Sequence, residues 1–409
     1  MNRLFAVVLS VLFLVAVAVP LMATESRQIA LGGVGNYIED DYNIFAWPAT
    51  LPSYSNTIWM NISQSRLEKS LSGYTEWSSL GEVGALMGAS YGLGADEQYG
   101  TLAMFFYDSA PGLNPFAGRT FSDGLYNKFT IMYAYPMEKL SLGFLFVRSD
   151  EGTKFETPAE EDHHSYTTFG ASVRFDMGEK AYMDIAADLS FGAYQDEQVP
   201  AYNSISEDAN MMMGLKARIF YEWNETITWV PYLSYRSFDF SLKADTLQDV
   251  FLQDNFGDKV MMIDLGLGAN IKVNEDNLLV FAIEPMSYMK WEPSELPAGA
   301  EDMSLTQTVV PRFFLGLESD IRDWLTFRAG ANKTLLKTEY KNVEIEDGPM
   351  NVTVTSAPFN YYMGLGFHVS DFDVDCVINN ELPMNLGYWL TGSSNTMDPV
   401  YTISALYHF

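Results

Sequence analysis

A chain of 409 residues carries 53 acidic against 24 basic side chains, a net charge of −29, with 14% aromatics and a single cysteine. That balance argues against nucleic acid and anionic membrane surfaces as partners, and a lone Cys376 rules out an intramolecular disulfide. The length exceeds one ordinary soluble core but suits a single barrel.

Residues 1–23 read as a secretory signal peptide: Asn2-Arg3, an apolar run from Leu4 to Val19, then Pro20-Leu-Met-Ala23. Cleavage after Ala23 would remove Arg3 and leave a net charge of −30. No cysteine follows the apolar run, which excludes a bacterial lipoprotein anchor. Residues 24–53 precede any clear strand. They hold Gly32, Gly33 and Gly35, which permit close-packed backbone, then Glu39, Asp40 and Asp41, which suit caps and turns, then Trp47-Pro48-Ala49 and Leu51. This stretch is read either as an irregular leader or as a hatch folded inside a barrel, with Gly32, Gly33, Gly35, Asp40, Asp41, Trp47 and Pro48 along a ligand path.

Gly32-Gly-Val-Gly35, the acidic pair and Trp47-Pro-Ala-Thr-Leu51 together resemble the entry region of one large family. It comprises the long-chain fatty-acid outer-membrane transporters (FadL-like) and the type IX secretion shuttle barrels (PorV-like). Trp47 stands where the family usually has Asn. The resemblance covers about thirty residues. It implies a barrel with an N-terminal hatch, typically of fourteen strands, and in the transporter branch a path for hydrophobic ligands.

Residues 54–409 alternate between strands, tight turns and longer polar connections. Seven short turns fall at 94–97, 136–139, 176–180, 223–225, 273–277, 319–323 and 370–373. Each joins stretches long enough to cross a bilayer as tilted strands of roughly 9–11 residues. Eight longer connections separate the hairpins, among them 149–165, 239–257, 288–304 and 333–357. Counting strands predicts an all-β, transmembrane, antiparallel up-and-down barrel of about sixteen strands, with fourteen as the alternative.

The strands alternate apolar and polar residues, the pattern of a barrel wall between lipid and lumen. Leu215, Ala217, Ile219, Tyr221 and Trp223, for example, oppose Lys216, Arg218 and Glu222. The same alternation would suit a soluble sandwich. The leader and the aromatics near strand ends, Trp223, Trp229, Tyr288, Trp324 and Tyr407, favour lipid instead. The lumen-facing charges are then Arg174, Asp184, Asp188, Lys216, Arg218, Glu222, Asp264, Lys272, Arg312, Glu318, Arg328 and His368, with Arg236, Glu284, Asp373 and Asp375 on the same faces. Both signs occur, so cross-strand ion pairs are expected, and a polar water path is the other reading of this lining. Leu86, Leu145, Val147, Met286 and Phe314 also point inward on this reading.

The densest acidic run, Glu156 to His164, includes two histidines, but such loop residues are ordinarily solvated, and neither metal nor cofactor is expected. No nucleophile elbow, zinc helix or phosphate loop occurs, and His368 is the one wall base, so the chain is not read as an enzyme.

The chain closes on Tyr401-Thr-Ile-Ser-Ala-Leu-Tyr-His-Phe409. Tyr401, Ile403, Tyr407 and Phe409 share one face, and the ending resembles the terminal strand of bacterial outer-membrane barrels, which the barrel-assembly machinery reads as its insertion signal. This strand should pair with residues near 54–66, and both termini should be periplasmic. The function expected is passive transport of small hydrophobic molecules across the outer membrane. The alternatives are a non-transporting structural or secretion-partner barrel, or a general porin. Expected partners are outer-membrane lipid and lipopolysaccharide, the assembly machinery and a hydrophobic small molecule.

Overall fold

The computed structural model describes residues 25–63, 86–94, 97–107, 128–156, 159–197, 205–206, 210–240, 243–244, 258–293, 304–345, 348–378 and 400–409. A short helix α1 (Glu25–Ala30) and two 3-10 turns, Asp41–Phe45 and Pro48–Tyr54, precede the sheet. The strands begin with β1 (Thr57–Ser63), β2 (Leu86–Gly92), β3 (Thr101–Tyr107) and β4 (Lys128–Pro136). They continue with β5 (Leu140–Glu156), β6 (Ala159–Asp176), β7 (Ala181–Glu197), β8 (Ile205–Ser206), β9 (Asn210–Glu222) and β10 (Ile227–Phe240). Next come β11 (Lys243–Ala244), β12 (Asp258–Asn274), β13 (Asn277–Pro293), β14 (Ser304–Arg322) and β15 (Leu325–Ile345). The last four are β16 (Gly348–Ser356), β17 (Phe359–Val369), β18 (Phe372–Ile378) and β19 (Val400–His408).

Every pairing is antiparallel, and the ring closes where β1 meets β19, with Thr57 opposite His408 and Ser63 opposite Thr402. The wall is a closed sixteen-stranded barrel. The short β8, β11 and β16 extend hairpins at the end remote from the tight turns. The wall therefore has sixteen strands and not the alternative fourteen, and its seven tight turns are those read from the sequence. The first strand starts at Thr57, three residues later than Tyr54.

Two connections expected as loops are strand instead. Residues 149–156 and 159–165 continue the β5–β6 pairing as far as Glu156 opposite Ala159, and 333–345 with 348–356 extend β15 and form β16. Backbone pairing does not stop at the length a bilayer needs, because polar residues pair their main chains equally well in water. Residues 288–293 likewise continue β13 as strand, while most of 239–257 and all of 294–303 lie outside the described residues, as do the side chains of Glu156 to His164 and Tyr401.

Alternation sorts the two faces. Met87, Tyr91, Leu102, Met104, Phe144, Phe169, Leu215, Leu233, Phe281 and Leu315 point outward and are exposed. An apolar band of this extent is stable only against lipid. No helix among the described residues is long and apolar enough to cross a membrane. Trp223 and Trp324 stand exposed beside tight turns, where an interfacial girdle belongs.

Two prolines break the ladder at one level. The β13–β14 pairing passes from Glu284 opposite Arg312 to Ser287 opposite Val309, and the flanking ladders shift register there too. Pro285 and Pro311 have no N–H to donate, so both strands bulge together. The bulge reverses the faces of the residues beyond it. Met286, expected inside, is 39% exposed, while Met289 is buried.

Candidate functional site

The inner faces of strands spread round the ring converge on residues 25–54. Helix α1 packs against β15, β17, β18 and β19, and the second 3-10 turn against β4, β5 and β6. Two apolar clusters result. One joins Leu31, Val34, Tyr37 and Ile38 to Phe220, Val230, Val280 and Phe314. The other joins Ile44, Phe45 and Leu51 to Trp59, Phe105, Met132, Leu145 and Leu406. The interior is thus less polar than the sequence suggested: Trp59, Phe105, Met132, Val230 and Val280 face inward as well as Leu86, Leu145, Val147 and Phe314.

Wall glycines make this packing possible. A Cβ on Gly330 would lie 2.1 Å from the Leu31 carbonyl carbon and the Gly32 nitrogen, and one on Gly143 would lie 2.1 Å from the Ala49 nitrogen. Gly266 and Gly268 leave the space that the Tyr37 side chain fills. Gly32 adopts φ +81° and Gly33 φ +85°, turning the chain at the end of α1. Gly35 lies against Gln28, and Pro48 opens the second 3-10 turn.

Three polar groupings dock the segment. Arg27 donates to Glu318 through Nε and Nη2, both at 2.8 Å, and to Asp40 at 3.0 Å. Arg328 donates to the same Glu318 at 2.6 Å and also to Asp375. Asp40 additionally accepts from the Tyr42 N–H, capping the first 3-10 turn. Asp41 is buried beside it, and that burial, followed by the adjacent Asp40, pushes its carboxyl well above the usual range.

In the second grouping, Asp184 accepts from Arg174 at 2.7 and 3.0 Å and from Arg218 at 2.9 Å. Arg174 reaches Glu39, and Arg218 reaches the Ile38 carbonyl at 3.1 Å. The Arg218 guanidinium also lies 4.7 Å from the centre of the Trp47 ring, with the Lys216 ammonium at 5.3 Å. Two desolvated cations on one indole are each worth up to about 2 kcal/mol. The third grouping has Tyr37 donating to Glu284 at 3.0 Å, with Arg312 donating to Glu284 at 3.2 Å.

Other predicted lumen charges sit apart. Asp264 accepts from Ser287 at 2.5 Å. Glu222 and Lys272 are exposed beside the tight turns, at the mouth and not in the packed interior. His368 bonds Asp373 at 2.6 Å and Thr326 at 3.0 Å, and Asp373 also lies 3.4 Å from His408 across the neighbouring strand. On β19, Ile403 and Phe409 are exposed outward, Tyr407 stacks on Phe372 and Phe409, and Ser404 and Leu406 face in.

Sequence reasoning passed over Glu25, Ser26, Arg27 and Tyr37. Ser26 bonds Ser404 through both its N–H, at 3.2 Å, and its hydroxyl, at 2.5 Å, at the closing seam. Glu25 is buried there and accepts from Asn61. The signal available for the docking was the glycines on the inner faces of the wall, which leave room for the segment.

Burial raises the Glu25 carboxyl from 4.5 to about 7, outweighing the Asn61 hydrogen bond. A group whose pKa rises on docking favours the docked state fully below its free value and loses that contribution as pH climbs through the docked value. Docking should therefore weaken between pH 4.5 and 7 and level off above. Limited proteolysis of residues 25–54 should run faster at pH 7.5 than at pH 5 relative to a Glu25→Gln control; equal ratios would refute the assignment.

A cavity of about 30 Å³ opens one level above the Arg174–Asp184–Arg218 cluster, away from the tight turns, between Phe45, Leu145, Met212, Asp188, Lys216 and Arg236.

No protein-family model matches the sequence, and a sequence search of curated proteins finds no match. Solved barrels are similar in outline. A FadL homologue of Pseudomonas aeruginosa has 10% identity and a TM-score of 0.44 over 96% of this chain and 99% of its own. The monoaromatic hydrocarbon channel CymD has 11% identity and a TM-score of 0.40 over 93% and 96%, and the Pseudomonas putida toluene transporter TodX has 10% and 0.39 over 93% and 97%. Likenesses this remote carry no argument about function, which rests on the interior itself.

Proposed function

We propose that this barrel passes small hydrophobic molecules across the bacterial outer membrane, with residues 25–54 as a hatch that shifts to open the path. The observation that carries the reading is the kind of contact holding the segment. It packs apolar clusters into the lumen and docks through hydrogen bonds and ion pairs, without joining the wall as a strand. Such a plug closes the barrel to bulk water yet can move, because each contact can be exchanged for water or ligand. An open general porin would instead have a wet, unfilled lumen.

On this reading the tight turns and both ends of the mature chain face the periplasm, once the leader of 1–23 is removed. The terminal strand engages the barrel-assembly machinery, and the acidic far end meets lipopolysaccharide through bridging divalent cations. Purified protein in liposomes should take up a small apolar probe such as toluene faster than protein-free liposomes, with no steady ionic current in planar bilayers. A large constant conductance would indicate a porin. Absence of both uptake and current would favour the non-transporting role.

A further inference from the structure

Asp188, Lys216 and Arg236 surround the cavity above the hatch, and among the described residues none of the three makes a hydrogen bond or a close ion pair. Lys216 leans on the Trp47 ring, a contact that leaves its ammonium protons unshared. Charged side chains held in a packed interior ordinarily find partners, since removing them from water is costly. The three are half-buried, and Asp188 lies near enough to Lys216 to feel its charge without bonding it, so the hydrogen-bonding groups of all three are open to something else. The remaining lining is Phe45, Leu145 and Met212, with the hydroxyls of Thr168 and Ser190 alongside.

We infer that this cavity is a subsite for a small organic acid that carries a hydroxyl beside its carboxylate and an apolar body behind it. The proposal rests on the lumen being a ligand path and narrows what travels along it. Lys216 and Arg236 would donate to the carboxylate, the stronger kind of hydrogen bond because both partners are charged. Asp188 has only acceptors to offer and would accept a hydrogen bond from the hydroxyl. About 30 Å³ admits these head groups alone, so the body would lie along Phe45, Leu145 and Met212 toward the far end. A neutral hydrocarbon would leave the hydrogen-bonding groups of all three unused, and a simple carboxylate would leave Asp188 facing it with no donor between.

Three probes separate the contributions: 3-phenyllactate, 3-phenylpropionate, which lacks the hydroxyl, and 3-phenyl-1,2-propanediol, which lacks the carboxylate. Calorimetric titration into the full chain in detergent should rank them in that order, each step about tenfold. Lys216→Met and Arg236→Met should erase the advantage over the diol, and Asp188→Asn should erase the advantage over phenylpropionate. Heat-modifiable gel mobility identifies any variant that fails to fold, and the two cation variants back each other up. Equal binding of the three probes, or unchanged ranking in folded variants, would overturn the subsite while leaving toluene uptake intact. Loss of toluene uptake together with all probe binding would overturn the transport reading as well.

Discussion

Replacing Asp184 by Ala is expected to destabilise the barrel by about 3–5 kcal/mol, the cost of breaking a buried charge cluster from one side. Asp184 is 1% exposed and accepts from two guanidinium groups, one of which, Arg218, is equally buried. Alanine would leave Arg218 with the Ile38 carbonyl and the rings of Trp47 and Phe220 but no anion. The loss crosses from β6 through β7 to β9 and reaches the hatch, so it should lower the urea midpoint of vesicle-reconstituted protein and speed cleavage of residues 25–54. Asp184→Asn, which keeps an acceptor, should cost less. A change within about 0.5 kcal/mol, the range of ordinary surface substitutions, would contradict this account of the cluster.

Gly330→Val should have the larger effect on function. The new Cβ would meet main-chain atoms of Leu31 and Gly32, which cannot swing aside as a side chain would. The hatch must move or the wall must bend, and overpacking of this kind costs about 1–3 kcal/mol. If the hatch yields, its docking equilibrium shifts by roughly 5- to 150-fold. Uptake of toluene should rise and proteolysis of 25–54 should accelerate, with the unfolding midpoint of the wall little changed. Asn332, which donates to the Gly32 carbonyl at 3.1 Å, offers a milder control through Asn332→Ala. Unchanged uptake and cleavage in Gly330→Val would mean that α1 does not depend on that close approach.

The wall was legible in the sequence because its signals are local. A tight turn needs a few residues, and alternation declares which face meets lipid, so the seven hairpins and the β1–β19 closure could be read directly. Strand length was less legible, since nothing in the residues of 149–165 distinguishes paired backbone standing in water from loop. Met286 was misplaced for a related reason: period-two counting fails across a bulge, and Pro285 was the available warning. The hatch contacts were the least legible. Arg27 with Glu318 and Ser26 with Ser404 lie hundreds of residues apart, and only closure of the ring brings them together. The residues that resembled a family entry region, Gly32 to Leu51, fall within the stretch that contacts the inner faces of the wall.

On the proposed function, residues 25–54 sit inside the barrel and must move for anything to pass. The most direct test is a disulfide between Ser26→Cys and Ser404→Cys, whose hydroxyls are 2.5 Å apart, in a Cys376→Ala background. The oxidised protein should show a cross-linked band and take up toluene no faster than protein-free liposomes, and reduction should restore uptake to the level of the uncross-linked parent. Failure of the two cysteines to join in the folded barrel, or uptake that is the same before and after reduction, would contradict it.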